Sequence, residues 1–154
     1  MNILFILGRV AFVLIFIVSG IEKLVDIPGT AALIDPRVDV PEVVAPYISQ
    51  LETATGMEMA TMLAILTGVV ELVGGLMVAT GIGLRVACVL LILFTIATIY
   101  YFHPFWAMTG PERAGNMVHA LKNLSLIGGL LMLFVLGRWK PRPVDRYDNL
   151  SSRL

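Results

Sequence analysis

Apolar positions in this chain run in four blocks, roughly Ile3–Ile21, Met59–Thr80, Leu84–Phe102 and Met117–Leu136. Each is close to the ~20 residues that a helix needs to cross ~30 Å of hydrocarbon. The second block holds Glu71 as its one charge, and the third has none after Arg85. The first lacks a basic leader and is interrupted by Arg9, so it is expected to be a permanent helix and not a cleaved signal. The pattern predicts an all-α, integral membrane four-helix bundle. Residues 1–140 form the transmembrane domain and 141–154 a basic tail.

Between the first two blocks, residues 22–58 form a long loop. Within it, "PEVVAPYISQLETATG" places Val43, Val44, Tyr47, Ile48 and Leu51 at amphipathic helical spacing, with Pro41 in the first turn and Pro46 limiting or bending the helix. This helix is expected to lie on the outer surface and cover the mouth of the bundle, as an interfacial anchor or as a lid.

Composition agrees with the pattern. Hydrophobic residues make up 58% and charged residues 14% of 154, with a mean hydropathy of +0.89, too apolar for a water-soluble domain of this size. Charge fixes the expected orientation. Arg138, Lys140, Arg142, Arg146 and Arg153 follow the fourth block, and Arg85 follows the short turn after the second. The 22–58 loop carries two basic and seven acidic residues. Both termini are therefore expected in the cytoplasm, and both longer loops outside. The lone cysteine, Cys88, excludes an internal disulfide, a CxxC redox pair and a cysteine-rich metal site. There is no phosphate loop, serine elbow or HExxH, and the basic tail reads as a topology signal, not a nucleic-acid surface.

Polar residues inside the blocks carry the candidate chemistry. Ala60, Ala64, Thr67, Gly68, Glu71, Gly74, Gly75 and Val78 share one stripe, small residues around one carboxylate, so Glu71 is expected to face a neighbouring helix. A charge at mid-membrane costs at least ~2.5–3.5 kcal/mol on insertion scales. Glu71 is therefore expected to pair with Arg9 or Arg85, either as an ion pair that fixes helix order or as a proton-carrying site.

A second group gathers toward the outer surface. Ser19, Glu22 and Lys23 end the first block, and His103 and Trp106 follow the third. Asn116, His119, Lys122 and Asn123 open the fourth, within an arc of about 120°. Lys23, His103, Trp106, Asn116, His119 and Asn123 are the candidate lining of a ligand or quinone pocket. Simpler roles stand beside this one. Trp106, Tyr100 and Tyr101 suit an interfacial aromatic belt, His103 before Pro104 suits a helix end, Asn116 suits an N-cap, and Lys23 and Lys122 can snorkel to headgroups. The two histidines and Glu22 lack a third ligand at tight spacing, so no metal site is expected.

Four segments, "GRVAFVLIFIVSGIEKL", "ELVGGLMVATGIGLRVA", "FHPFW" and "KNLSLIGGLLML", resemble in order and spacing the DoxX/DoxD family of small four-helix bacterial membrane proteins. The family pattern maps onto Arg9, Ser19, Gly20 and Lys23; Glu71, Gly74, Gly75, Gly81 and Arg85; His103, Phe105 and Trp106; and Lys122, Asn123, Gly128 and Gly129. The long acidic first loop departs from it. The resemblance implies a protein of the bacterial inner membrane tied to redox work, because relatives include subunits of thiosulfate:quinone oxidoreductase and of membrane complexes linked to sulfur and oxidative-stress chemistry.

Two functions follow as expectations. One is a quinone-associated subunit of an oxidoreductase system. The other is a non-catalytic anchor or assembly subunit for a soluble redox enzyme, docking by the acidic loop or the basic tail. The sequence carries no electron-transferring group, so catalysis by this chain alone is left open. Quinone is the one cofactor class expected. The bilayer, a redox protein and a second copy of the chain are the expected partners, and nucleic acid is not. A small-solute carrier is disfavoured, since four short helices leave little room for alternating access.

Overall fold

The computed structural model describes residues 3–136, so the expected basic tail, 141–154, lies outside the described residues. Helices account for nearly all of it: α1 (Ile3–Val25), α2 (Ile27–Ile34), α3 (Ala45–Thr55), α4 (Met59–Thr80), α5 (Leu84–Phe102) and α6 (Gly110–Leu136). No strand occurs among the described residues. Helices α1, α4, α5 and α6 are each long and apolar enough to cross a membrane. The fourth span begins earlier than its hydropathy predicts, because the polar stretch 110–116 is helical as well. Asn116 therefore lies well inside α6 and is not its N-cap.

Local chemistry sets the breaks. Asp26 stops α1 and starts α2: its Oδ1 accepts the Gly29 N–H at 2.9 Å, with Pro28 in the first turn. At the other end of the bundle, Gly81 (φ 84°) and Gly83 (φ 61°) adopt left-handed conformations that turn α4 into α5 within three residues. Pro104 ends α5 at His103, since the residue before a proline is pushed out of helical geometry. A 3₁₀ turn, Phe105–Ala107, leads to α6.

The spans form a row. Helix α1 packs along α4, α4 against α5, and α5 against α6, whereas α1 and α6 share no comparable interface. The small-residue stripe of α4 makes the first two contacts possible. A Cβ on Gly75 would stand 2.8 Å from Ile17, and one on Gly74 would stand 3.0 Å from Leu91. Gly20 on α1 approaches even more closely, so that its Cβ would stand 2.6 Å from the Leu72 backbone nitrogen. Ala60, Ala64, Gly68, Glu71, Gly74, Gly75 and Val78 are all buried, as the stripe predicts.

Two apolar clusters hold the bundle. One joins Val13, Phe16, Val78, Ala87, Cys88, Leu91, Leu130 and Leu133 from all four spans. The other, toward the long loop, joins Ile34 of α2 to Ala60 and Ala64 of α4, with Phe102 packed against it. The amphipathic helix of the loop is present as α3, but it buries no residue. The short α2, which the hydropathy pattern does not distinguish, is the loop element that packs on the bundle.

Candidate functional site

Between the two clusters lies a cavity of about 920 Å³. Its walls are Ile15, Phe16, Ser19 and Lys23 of α1, Thr67 and Glu71 of α4, and Phe94, Thr95, Thr98 and Phe102 of α5. Lys122, Asn123 and Leu126 of α6 face these, His103 stands at one end, and Gly29, Thr30, Leu33 and Ile34 of α2 complete the lining. Because α1 and α6 are the unpacked ends of the row, the cavity lies where the bundle is least sealed. Toward the turn between α4 and α5 the gap closes: the Phe12 ring occupies the space a Gly129 side chain would need.

The charged wall is an ion pair. Lys23 Nζ donates to Glu71 Oε2 at 2.5 Å and to Ser19 Oγ at 2.5 Å, and Ser19 Oγ donates to the Glu71 carboxylate at 3.0 and 3.2 Å. Lys23 also lies 5.8 Å from the centre of the Phe94 ring. This corrects the expected pairing of Glu71 with Arg9 or Arg85. A lysine stem on a helix leans toward the helix N-terminus, so Lys23 reaches back one turn to Ser19 and across to α4. Arg9 lies near the end of α4 and donates from Nη2 to the Ala79 carbonyl at 2.9 Å. Ala79 is eight residues beyond Glu71, about 12 Å along the helix. Arg85 stacks its guanidinium 5.5 Å from the centre of the Phe134 ring.

His103 is held from behind. Asn116 Nδ2 donates to the Glu112 carbonyl at 3.0 Å, which turns Asn116 Oδ1 toward His103 Nδ1 at 3.1 Å. Since Oδ1 can only accept, Nδ1 is the donor, and in the neutral form of the ring the lone pair falls on Nε2. His119 stacks on His103, with ring centroids 5.0 Å apart and planes 19° from parallel.

Of the six expected lining residues, Lys23, His103 and Asn123 line the cavity. Asn116 and His119 do not; they touch His103 and sit one layer back. Trp106 also stays out. It is 54% exposed and packs edge-on to Phe105 and obliquely to Tyr100, as an interfacial aromatic does. The sequence pattern sets Glu71 apart from this group, puts Thr67 on the Glu71 stripe and does not single out Thr95 or Thr98. Each of these hydroxyls donates to the carbonyl four residues earlier, at 2.6–3.0 Å, and so keeps acceptor lone pairs for the cavity. Their signal was present as threonines on the inward stripes of α4 and α5.

Asn123 differs from all of these. It is 7% exposed, lines the cavity, and its side chain makes no hydrogen bond among the described residues. The cavity thus presents donors from Asn123 and Lys122, acceptors from three threonines and His103, and the carboxylates of Glu22 and Asp26, within a largely aromatic and aliphatic shell.

Four membrane-length apolar helices around a partly polar cavity define a small multi-pass membrane protein. It belongs to the DoxX family: the family model described as DoxX matches residues 4–104. The chain is also 30% identical, over 135 residues, to the inner membrane protein YphA of Escherichia coli strain K12, a match that covers 88% of this chain and 84% of that protein. No solved structure matches. The chain is accordingly a multi-pass inner-membrane protein.

Proposed function

We propose that this chain is a quinone-associated subunit of a membrane oxidoreductase system linked to sulfur or oxidative-stress chemistry, and that the cavity holds the quinone headgroup. The observation that carries this reading is the Asn123 amide, which lines the cavity on a residue only 7% exposed and makes no hydrogen bond among the described residues. Its Nδ2 is free to donate to a ligand carbonyl in the cavity. The volume, about 920 Å³, falls within the ~300–1,000 Å³ of ligand pockets. Phe16, Phe94 and Phe102 supply the apolar faces that a quinone ring needs, and Lys122 a second donor. The gap between α1 and α6 gives an isoprenoid tail a lateral path to the acyl chains. A bound quinone would supply the two-electron carrier that the side chains lack. His103, with its Nε2 lone pair, can take a hydrogen bond from a reduced hydroxyl.

Purified full-length protein titrated with decylubiquinone and a short-chain menaquinone tests the reading. Binding of at least one is expected, weakened about tenfold or more in Asn123→Leu through loss of a buried hydrogen bond. His119→Ala, one layer back, is expected to weaken it less. Absent binding, or affinity indifferent to Asn123→Leu, overturns the site.

The second reading is a non-catalytic membrane anchor for a soluble redox enzyme. Its support is α3, which buries nothing and exposes Tyr47 and Leu51. Loss of a co-purifying redox protein from native membranes on Tyr47→Ser/Leu51→Ser favours it; unchanged co-purification, or no such protein at all, counts against it.

A further inference from the structure

The opposite end of the bundle carries a charge imbalance. Arg9 and Arg85 stand on inward-facing stripes of α1 and α5: Val13, four residues after Arg9, and Cys88, three after Arg85, are both fully buried in the cluster that joins the four spans. The two guanidiniums therefore cap one core from the same end. Arg9 is 6% exposed. Its Nε, and both Nε and Nη2 of Arg85, are buried without a hydrogen-bond partner. Nε and Nη2 form one edge of a guanidinium, the edge that grips a carboxylate or phosphate with two parallel hydrogen bonds.

Among the described residues no acidic side chain pairs with either arginine. Nor, among them, does any carboxylate stand at this end of the bundle: Glu71 is held by Lys23, and Glu22 and Glu112 lie toward the opposite ends of α1 and α6. Helix α5 begins here with no acidic residue in its first turn and no side-chain cap, so its positive end adds to the field. The carbonyl end of α4 offsets part of the Arg9 charge through Ala79. Arg85 has only the face of Phe134.

Arg9 also lines a groove of about 490 Å³ between α1 and α6. The rest of that groove is apolar: Leu4, Phe5, Gly8, Phe12, Gly129, Met132, Leu133 and Leu136. We propose that an anionic phospholipid binds here as a structural ligand, its phosphodiester held by Arg9 and Arg85 and one acyl chain lying in the groove. Two arginines and a helix N-terminus require net negative charge, which phosphatidylglycerol has and phosphatidylcholine, with its own ammonium, lacks. The acyl chain selects a lipid over free phosphate, because the groove around Arg9 offers an inorganic ion nothing else polar.

The full chain, purified and stripped of lipid, is exposed to equal phosphatidylglycerol and phosphatidylcholine in mixed micelles, and bound lipid is read by native mass spectrometry. One phosphatidylglycerol per chain is expected, with about tenfold preference over phosphatidylcholine, falling by about tenfold in Arg85→Gln. Gly8→Leu provides a variant that folds, since a Cβ there meets nothing within 4 Å. It fills the groove and is expected to reduce lipid retention while leaving both arginines in place. Exposed Arg113→Gln is expected to change nothing. Equal retention of the two lipids, or retention unaffected by both Arg85→Gln and Gly8→Leu, overturns the proposal. So does a rise in unfolding temperature with inorganic phosphate that matches the lipid's and is indifferent to Gly8→Leu, which would mark a free-anion site.

Discussion

Lys23 of α1 and Glu71 of α4 form an ion pair at 2.5 Å that Ser19 bridges, and it joins helices 48 residues apart in the chain. The pair stands at the cavity wall, so it ties the most extensive helix interface to the candidate site. Removing one partner leaves a buried charge alone. Lys23→Met or Glu71→Leu is each expected to destabilise by about 3 kcal/mol, the lower end of values for broken buried pairs because the Lys23 side chain is 26% exposed. The double variant should lose clearly less than the sum of the two. Reversible unfolding in mixed micelles measures all four proteins; additive losses would show that the two groups do not interact.

Gly20 and Gly128 are expected to respond oppositely to a methyl group. At Gly20 the added Cβ would stand 2.6 Å from Leu72 N and 2.8 Å from Gly68 O, both backbone atoms that cannot swing away. Gly20→Ala should push α1 from α4 and cost about 1–3 kcal/mol. At Gly128 nothing lies within 4 Å, so Gly128→Ala should be neutral or stabilising by up to about 1 kcal/mol through helix propensity. Thermal unfolding midpoints decide, and equal effects at the two sites would contradict the α1–α4 approach.

Asn116 holds the His103 ring through Nδ1 at 3.1 Å. Asn116→Leu is expected to free the ring, with a mixture of tautomers replacing the single Nδ1–H form and a stability loss of about 1 kcal/mol. The ¹⁵N shifts of His103 read the tautomer directly. A single unchanged form in the variant would mean that Asn116 does not orient the ring.

Asp26 caps α2, the element that completes the cavity lining at the loop end. Asp26→Ala should cost about 1 kcal/mol, and the effect should be local. Amide exchange across residues 27–34 is expected to quicken about fivefold, with little change in α4 or α5. Uniform acceleration through the chain would instead make α2 part of one cooperative unit with the spans.

The four spans, the buried stripe on α4 and the breaks at Gly81 and His103 were legible because each depends on hydropathy, helical period or a turn residue. The chain also showed that Glu71 needs a cation, since hydrocarbon leaves a carboxylate no other partner. It did not show which cation. Arg9, Arg85 and Lys23 all stand on inward stripes, and the choice turned on the depth of each along α1 or α5 relative to Glu71 when those helices pack against α4. Similarly, Asn116, His119 and Asn123 share one arc of α6, yet only Asn123 reaches the cavity.

By itself, the sequence determined the number of spans and the stripe that α4 buries, because the bilayer enforces helical hydrogen bonding and a 3.6-residue period on any apolar run of that length. Only the tertiary structure decided that Lys23 takes Glu71, that α2 and not α3 lines the cavity, and that two arginines cap one end of the core with no carboxylate partner among the described residues. Those outcomes depend on helix offsets of a turn or less, and such offsets are set by glycine-mediated contacts between segments far apart in the chain.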